Sequence, residues 1–253
     1  MKKLAREYLT AVQFFTRIPV SGALADWMGY GPLQLRASLA HFAGVGILVG
    51  MAAAVAFAIV GLLLPETAPA LLAAALACTA ATILLTGAMH EAGAARLARA
   101  QGTDPESSGT IALVLSIGVK AALLAAIAVQ SPAGVLAALV AGHAVSRFAA
   151  LVAAHRLAPV EAPADNPWVE GVERRAVRIG AVWCLAPLLL MVAAGRAAFM
   201  VLALAVSGAA LWAMVRWLRR RARAVTVDAL GATQQVAELA FYLGAAIGIG
   251  GGR

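Results

Sequence analysis

The sequence is short of charge. Asp, Glu, Lys and Arg make up 13% of its 253 residues, where a soluble domain carries about 25%. That deficit excludes a water-facing surface on every side, and lipid must solvate much of the chain. Aromatic residues are also scarce, at 6%, so Ala, Leu, Val and Gly supply most of a 62% apolar content. Small residues let helix backbones approach closely in lipid, where packing rather than water drives association. The 24 glycines therefore fit a tight helical bundle better than a loop-rich protein. Cysteine is nearly absent. Cys78 and Cys184 lie inside apolar runs, which excludes a disulfide framework or cysteine metal spacing. Each reads as a small buried hydrophobe.

What is present is long apolar segmentation. A span needs roughly 20 mostly apolar residues, and six segments qualify: His41–Leu64, Ala68–Met89, Thr110–Val129, Ala133–Ala154, Ala176–Ala194 and Ala197–Val215. A seventh, Gln234–Gly250, is shorter and carries Glu238. Ahead of them, Leu4, Tyr8, Ala11, Val12 and Phe15 recur at helical spacing beside Lys2, Lys3 and Arg6. Residues 4–15 thus read as an amphipathic helix at a membrane surface, its cations facing anionic headgroups. A cleaved signal peptide is not expected, because Gln13 and Arg17 interrupt the would-be apolar core. No internal repeat is evident. The chain reads as one all-α integral-membrane domain over residues 1–253, a polytopic bundle of six or seven spans.

Basic residues set the expected orientation. Sixteen of the twenty Lys and Arg fall in the N-terminal segment and alternate connections, while the opposite connections hold only Arg196 and Arg253. The positive-inside rule makes the N-terminus and the segments 16–40, 90–109, 155–175 and 216–233 cytoplasmic. Orientation thus accounts for most of the net charge of +8, and no nucleic-acid motif accompanies it.

Chemistry concentrates where spans end. At the close of the second, Met89 gives way to His90, Glu91, Ala92 and Gly93. A carboxylate beside an imidazole at a helix end can hold a divalent ion or handle a proton; taken alone, the pair reads first as an interfacial polar cap. Asp228 follows the basic run Arg216–Arg223 and precedes Gly231. It reads either as a metal-and-phosphate carboxylate or, together with Thr233, as a candidate cap of the last helix. Glu238, Arg147 with His143 and Ser146, and Lys120 fall inside spans, where charge is expensive unless paired or functional. Glu238 is the most available partner for Arg147. The loop Glu161–Glu173, with Pro159, Pro163, Pro167 and Trp168, is expected to keep its acidic residues in water.

Several stretches together resemble the cobalamin synthase family, the adenosylcobinamide-GDP ribazoletransferases of bacterial vitamin B12 assembly. Gln13-Phe14-Phe15-Thr16-Arg17-Ile18-Pro19-Val20 is similar to the opening FxTRxPV motif. His41-Phe42-Ala43-Gly44-Val45-Gly46 resembles FPxxG, with Ala43 in place of proline. Ala144-Val145-Ser146-Arg147 resembles xxSR. Thr226 through Glu238 resembles TGDTLGAxxQxxE, with Val227 and Ala229 in place of Gly and Thr.

The resemblance implies an inner-membrane enzyme that uses Mg²⁺. Such an enzyme joins adenosylcobinamide-GDP to α-ribazole or its 5′-phosphate and releases GMP. It also implies His90, Glu91 and Asp228 as catalytic residues, Glu91, Asp228 and Asp104 as metal ligands, and Arg17, Ser146, Arg147 and Thr226 as substrate contacts. Membrane lipid is a further partner, and the resemblance leaves room for other cobalamin-assembly proteins.

One motif departs from the pattern. The family segment HxDGLADTxDG is met by His90-Glu91-Ala92-Gly93-Ala94-Ala95-Arg96-Leu97-Ala98-Arg99-Ala100, so Ala92, Arg96 and Arg99 stand at its aspartate positions. The next motif, MRDSRxGTxG, is reduced to Gly109-Thr110 behind a shortened connection containing Asp104 and Glu106. Three readings follow: a transferase with a metal site rebuilt from Glu91, Asp104, Glu106 and Asp228; a binding or scaffold member of the family without turnover; and a small-solute transporter using Arg147, Glu238 and Lys120. The last lacks an inverted repeat or paired broken helices.

Overall fold

The computed structural model describes residues 2–29, 31–157, 160–161, 166–195, 197–221 and 225–250. Pro159 and Pro163 of the acidic loop, and Arg196, Arg223 and Arg253 of the charge count, lie outside the described residues. The chain is helical almost throughout. Helix α1 (Lys2–Phe15) leads to two short helices, α2 (Ala23–Met28) and α3 (Pro32–Ser38), and a 3-10 turn at Leu39–His41. Then come α4 (Phe42–Leu63), α5 (Ala68–Thr86), α6 (Met89–Gln101), α7 (Pro105–Gln130), α8 (Pro132–Leu157), α9 (Arg174–Ala194), α10 (Ala197–Arg221) and α11 (Val227–Gly250). The one strand pairing among the described residues is a two-residue parallel match of Val160–Glu161 (β1) with Val225–Thr226 (β2).

Among the described residues six helical stretches have the length and composition to cross a membrane: Pro32–Leu63, Ala68–Thr86, Pro105–Gln130, Pro132–Leu157, Arg174–Ala194 and Ala197–Arg221. These match the six expected spans, with shifted ends that have local causes. The third starts at Pro105 rather than Thr110 because Asp104 caps it and proline takes the first turn. The second stops at Thr86 rather than Met89 because Gly87 and Ala88 both turn left-handed, at φ 69° and 58°. Glycine adopts that conformation freely, whereas for Ala88 it is strained. Helix α5 therefore ends in a corner, and α6 begins at once in a new direction.

The seventh segment is longer than expected. Helix α11 has 24 residues, enough to reach roughly 36 Å, and it packs against α6, α7, α8 and α10. Its polar stripe suits a helix enclosed by others rather than by lipid. Helix α8 is the other enclosed element, with 78% of its apolar window buried, against 17–33% for the remaining spans.

Glycines allow these inner helices to touch. A Cβ on Gly46 would lie 2.3 Å from the His143 carbonyl, and one on Gly50 would lie 2.6 Å from Val140 Cα, so α4 meets α8 backbone to backbone. Gly244 and Gly248 repeat the arrangement between α11 and the Leu202 and Ala198 carbonyls of α10. Small residues four apart are how helices associate closely in lipid.

Helix α1 is docked more firmly than its amphipathic pattern suggests. Its inner face holds Ala11, Val12 and Phe15 as expected, whereas Leu4 is 47% exposed and Glu7 is only 2% exposed. The Trp183 indole donates to His41 Nδ1 at 3.1 Å, and indole only donates, so a neutral His41 carries its proton on Nε2. That nitrogen faces Glu7 Oε2 at 3.3 Å. Gly46→Leu is expected to lower unfolding free energy by about 1–3 kcal/mol or more, through overpacking at the α4–α8 crossing. Gly118→Ala on α7, with open space around it, is expected to be neutral or slightly stabilising. Denaturant titration of both variants in detergent micelles checks the contrast.

Candidate functional site

The α5–α6 corner brings the first site residues to α11. Gly93 lets α6 settle onto that helix: a Cβ there would lie 3.1 Å from the Asp228 carbonyl and 3.4 Å from Gly231 Cα. Gly231 faces the His90 carbonyl in return, at 3.4 Å. His90, Glu91 and Asp228 are therefore gathered at one helix contact. Glu91 Oε1 accepts from Gln235 Nε2 at 2.9 Å, and its other oxygen is buried without a partner.

Arg96 lies three residues beyond Gly93 and reaches the same place. Its Nε donates to both oxygens of Asp228 at 2.9 Å and its Nη2 to Oδ1 at 2.7 Å. This is a forked guanidinium–carboxylate pair, with the two side chains 55% and 33% exposed. Sequence reasoning placed Arg96 nearby but missed this pairing, because the bond joins residues 132 apart in the chain.

His90 is buried, and its Nε2 has no hydrogen-bond partner. With Phe15, Phe42, Trp168, Asp228 and Gln234 it lines a cavity of about 40 Å³, room for about one water. Burial first, and then the charge of Arg147, hold the His90 imidazole well below its usual pKa. It is neutral at physiological pH and available to give or take a hydrogen bond.

Arg17 stands at the corner itself. Its backbone N–H donates to Leu85 O at 2.7 Å, and its exposed guanidinium lies over Gly87. Among the four expected substrate contacts, Arg17 and Thr226 are exposed, whereas the other two are buried. Ser146 is fully buried and donates to His143 O. Arg147 is 1% exposed, donates to His143 O at 3.0 Å and contacts His143 Nδ1 at 3.2 Å. Both are held inside the bundle, because α8 is the most enclosed span. Thr226 caps α11, its Oγ1 accepting from Ala229 N at 3.2 Å. That is the role considered for Asp228 or Thr233; Thr233 instead donates to Ala229 O within the helix.

Asp104 is occupied as the α7 cap, accepting from Ser107 N and Oγ, bonds that lower its carboxyl pKa. Among the described residues no three His, Cys, Asp or Glu lie close enough to hold a metal ion. Glu91, Asp228 and Asp104 are thus not brought together as a ligand set, and Asp228 already faces a guanidinium.

Below the site, charge continues into the membrane. Lys120 pairs with Glu238 at 2.6 Å, both buried. Glu238 was expected to partner Arg147, but α7 presents Lys120 to it first. Leaving aside Glu238 Oε1, which Lys120 engages, six of the seven buried side-chain N or O atoms without a hydrogen bond among the described residues lie on α6, α8 and α11, from Glu91 and His90 through Arg147 and His143 to Tyr242. Such groups cost about 1–3 kcal/mol each when left dry, so this seam is a place for water.

The cobalamin-5-phosphate synthase family model matches residues 7–246. The chain belongs to that family. It is 38% identical to an adenosylcobinamide-GDP ribazoletransferase of Albidiferax ferrireducens, covering 98% of this chain and 100% of that protein. Another, from Polaromonas naphthalenivorans, is 42% identical with the same coverage. One from Azorhizobium caulinodans is 34% identical over 94% of each chain. The first alignment runs over 280 positions against 253 residues here, so that relative carries residues this chain lacks. No solved structure matches the chain. Family membership accords with the motif order from Thr16-Arg17 to Glu238 and with the membrane bundle.

Acid should test the His90 environment. An unfolded His titrates near pH 6.5, and folded His90 titrates well below that. Its contribution is therefore full above about pH 6.5 and falls as pH drops from there towards the folded value. Thermal unfolding of the wild type is expected to weaken between pH 7.5 and 5, and His90→Gln is expected to flatten that slope.

Proposed function

We propose that the chain is an adenosylcobinamide-GDP ribazoletransferase by descent, working at the α6–α11 contact on the cytoplasmic face of a bacterial inner membrane. The substrates are adenosylcobinamide-GDP and α-ribazole or its 5′-phosphate, and the products are adenosylcobalamin or its phosphate and GMP. Family membership over nearly the whole chain carries this reading. Neutral His90 is placed to accept a proton from an incoming hydroxyl. Exposed Arg17 supplies a fixed positive charge for phosphate oxygens at the α5–α6 corner.

The relationship also implies Mg²⁺, held by carboxylates that neutralise a leaving phosphate. The donor set does not fit that role as it stands. Asp228 faces Arg96 in a forked pair, Asp104 caps α7, and Glu91 keeps one buried, unpartnered oxygen.

That donor set favours a second reading, a family member with strongly reduced turnover that still holds its substrates. Arg96 is a tethered cation in the position a divalent ion would take beside Asp228, and hard cations need anionic oxygens. Two measurements address these readings. With adenosylcobinamide-GDP, α-ribazole and saturating Mg²⁺, the purified chain is expected to release GMP far more slowly than 1 per second, on the order of which ordinary enzymes begin. Combined Ala92→Asp, Arg96→Asp and Arg99→Asp is expected to raise that rate. Turnover at ordinary rates by the unaltered chain would overturn the second reading and leave the first. For orientation, cysteines at Ser107 and Thr67 are expected to label from opposite sides of sealed vesicles, Ser107 from the cytoplasmic one.

A further inference from the structure

A second cavity lies away from the α6–α11 contact, where α3 and the 3-10 turn meet the start of α9. Its volume is about 170 Å³, room for five or six waters. Arg36, Arg175 and Glu173 supply its charged lining, and Leu33, Leu39 and Ala176 its apolar lining. Nothing in the transferase reading uses it.

Its depth follows from helix lengths. Helix α9 has 21 residues, or roughly 31 Å, which matches a hydrocarbon core of about 30 Å. Arg175, in its first turn, therefore sits where acyl chains give way to headgroups. The stretch Pro32–Leu63 has 32 residues, roughly 48 Å, so its α3 end also reaches past the hydrocarbon. Ala176, one residue on from Arg175, lies on the hydrocarbon side of that boundary.

The charges indicate what fits. Arg36 is bridged to Glu170, and Arg175 lies 3.9 Å from buried Glu7. Glu173 precedes α9 and its side chain makes no cap hydrogen bond, so its carboxylate is available as an acceptor. Arg36, Arg175 and Glu173 line the cavity, with Glu170 and Glu7 beside the two guanidiniums, so the site carries both signs. A two-sign site complements a zwitterion, which offers an anionic and a cationic group together.

We infer that this cavity binds the headgroup of a phospholipid bearing a primary amine, of the phosphatidylethanolamine class. Its phosphate lies between the Arg36 and Arg175 guanidiniums, its ammonium donates to Glu173, and its acyl chains run along α9 past Ala176 into the bilayer. A quaternary choline headgroup has no N–H to give Glu173 and binds less well. A glycerol headgroup has no ammonium to meet Glu173.

Delipidated full-length protein in detergent, exposed to equal amounts of dioleoyl phosphatidylethanolamine, phosphatidylcholine and phosphatidylglycerol, tests this by native mass spectrometry. The expected result is one tightly held phosphatidylethanolamine, favoured over phosphatidylcholine by about tenfold, the worth of one charged hydrogen bond. Glu173→Gln, at an exposed position, is expected to erase that preference while leaving lipid-free thermal stability unchanged. Arg36→Gln with Arg175→Gln is expected to weaken both lipids; if that variant fails to fold, Glu173→Gln alone decides. Equal binding of the amine and choline lipids, preference for the glycerol lipid, or a preference that survives Glu173→Gln would each overturn the assignment. So would soluble phosphoethanolamine or inorganic phosphate competing as strongly as the lipid, which would make the site one for free phosphate.

Discussion

Close backbone contact between small residues is the constraint on which this bundle depends. Lipid tails are as apolar as leucine, so helices gain little by exchanging lipid for one another unless they pack very near. Gly46 and Gly50 let α4 lie on α8, and Gly244 and Gly248 let α11 lie on α10. The same device at Gly93 and Gly231 places α6 on α11. That last contact differs in having polar residues around it, so closeness there brings together groups that can do chemistry.

Charge within the span is organised rather than scattered. Lys120 and Glu238 neutralise each other, while Arg147 is buried within α8 and bonded to its own His143. Removing one member of a buried pair leaves an uncompensated charge and is far more damaging than replacing both. The seam of unpartnered atoms above the pair connects it to His90 and Glu91. Membrane interior and candidate site thus share one electrostatic environment, which is why His90 responds to Arg147 although the two sit on different helices.

Much of this was legible in the chain. Six spans follow from apolar runs alone, because hydropathy is a local property. The family was legible from motifs in order, from Thr16-Arg17 to the stretch ending at Glu238. Side-chain pairings were not, since they depend on which helices become neighbours. Arg147 looked like the partner of Glu238 until α7 brought Lys120 in. Asp104 was read as a ligand although Asp104-Pro105-Glu106-Ser107 also has the form of a helix start, and the structure uses it so. Ser146 and Arg147 belong to a recognisable motif, but their burial depends on α8 being central, which no local pattern reveals. The corner at Gly87 and Ala88 was hidden inside an apolar run that continues unbroken to Met89.

That corner has a mechanical consequence. Two left-handed residues are all that separate α5 from α6, so there is no flexible tether to absorb movement. A shift of α6 on α11, of the kind a bound ligand imposes, has to be carried into α5 as a change of tilt. The site and a membrane-crossing rod are in effect two arms of one lever, with the bilayer resisting at the far end.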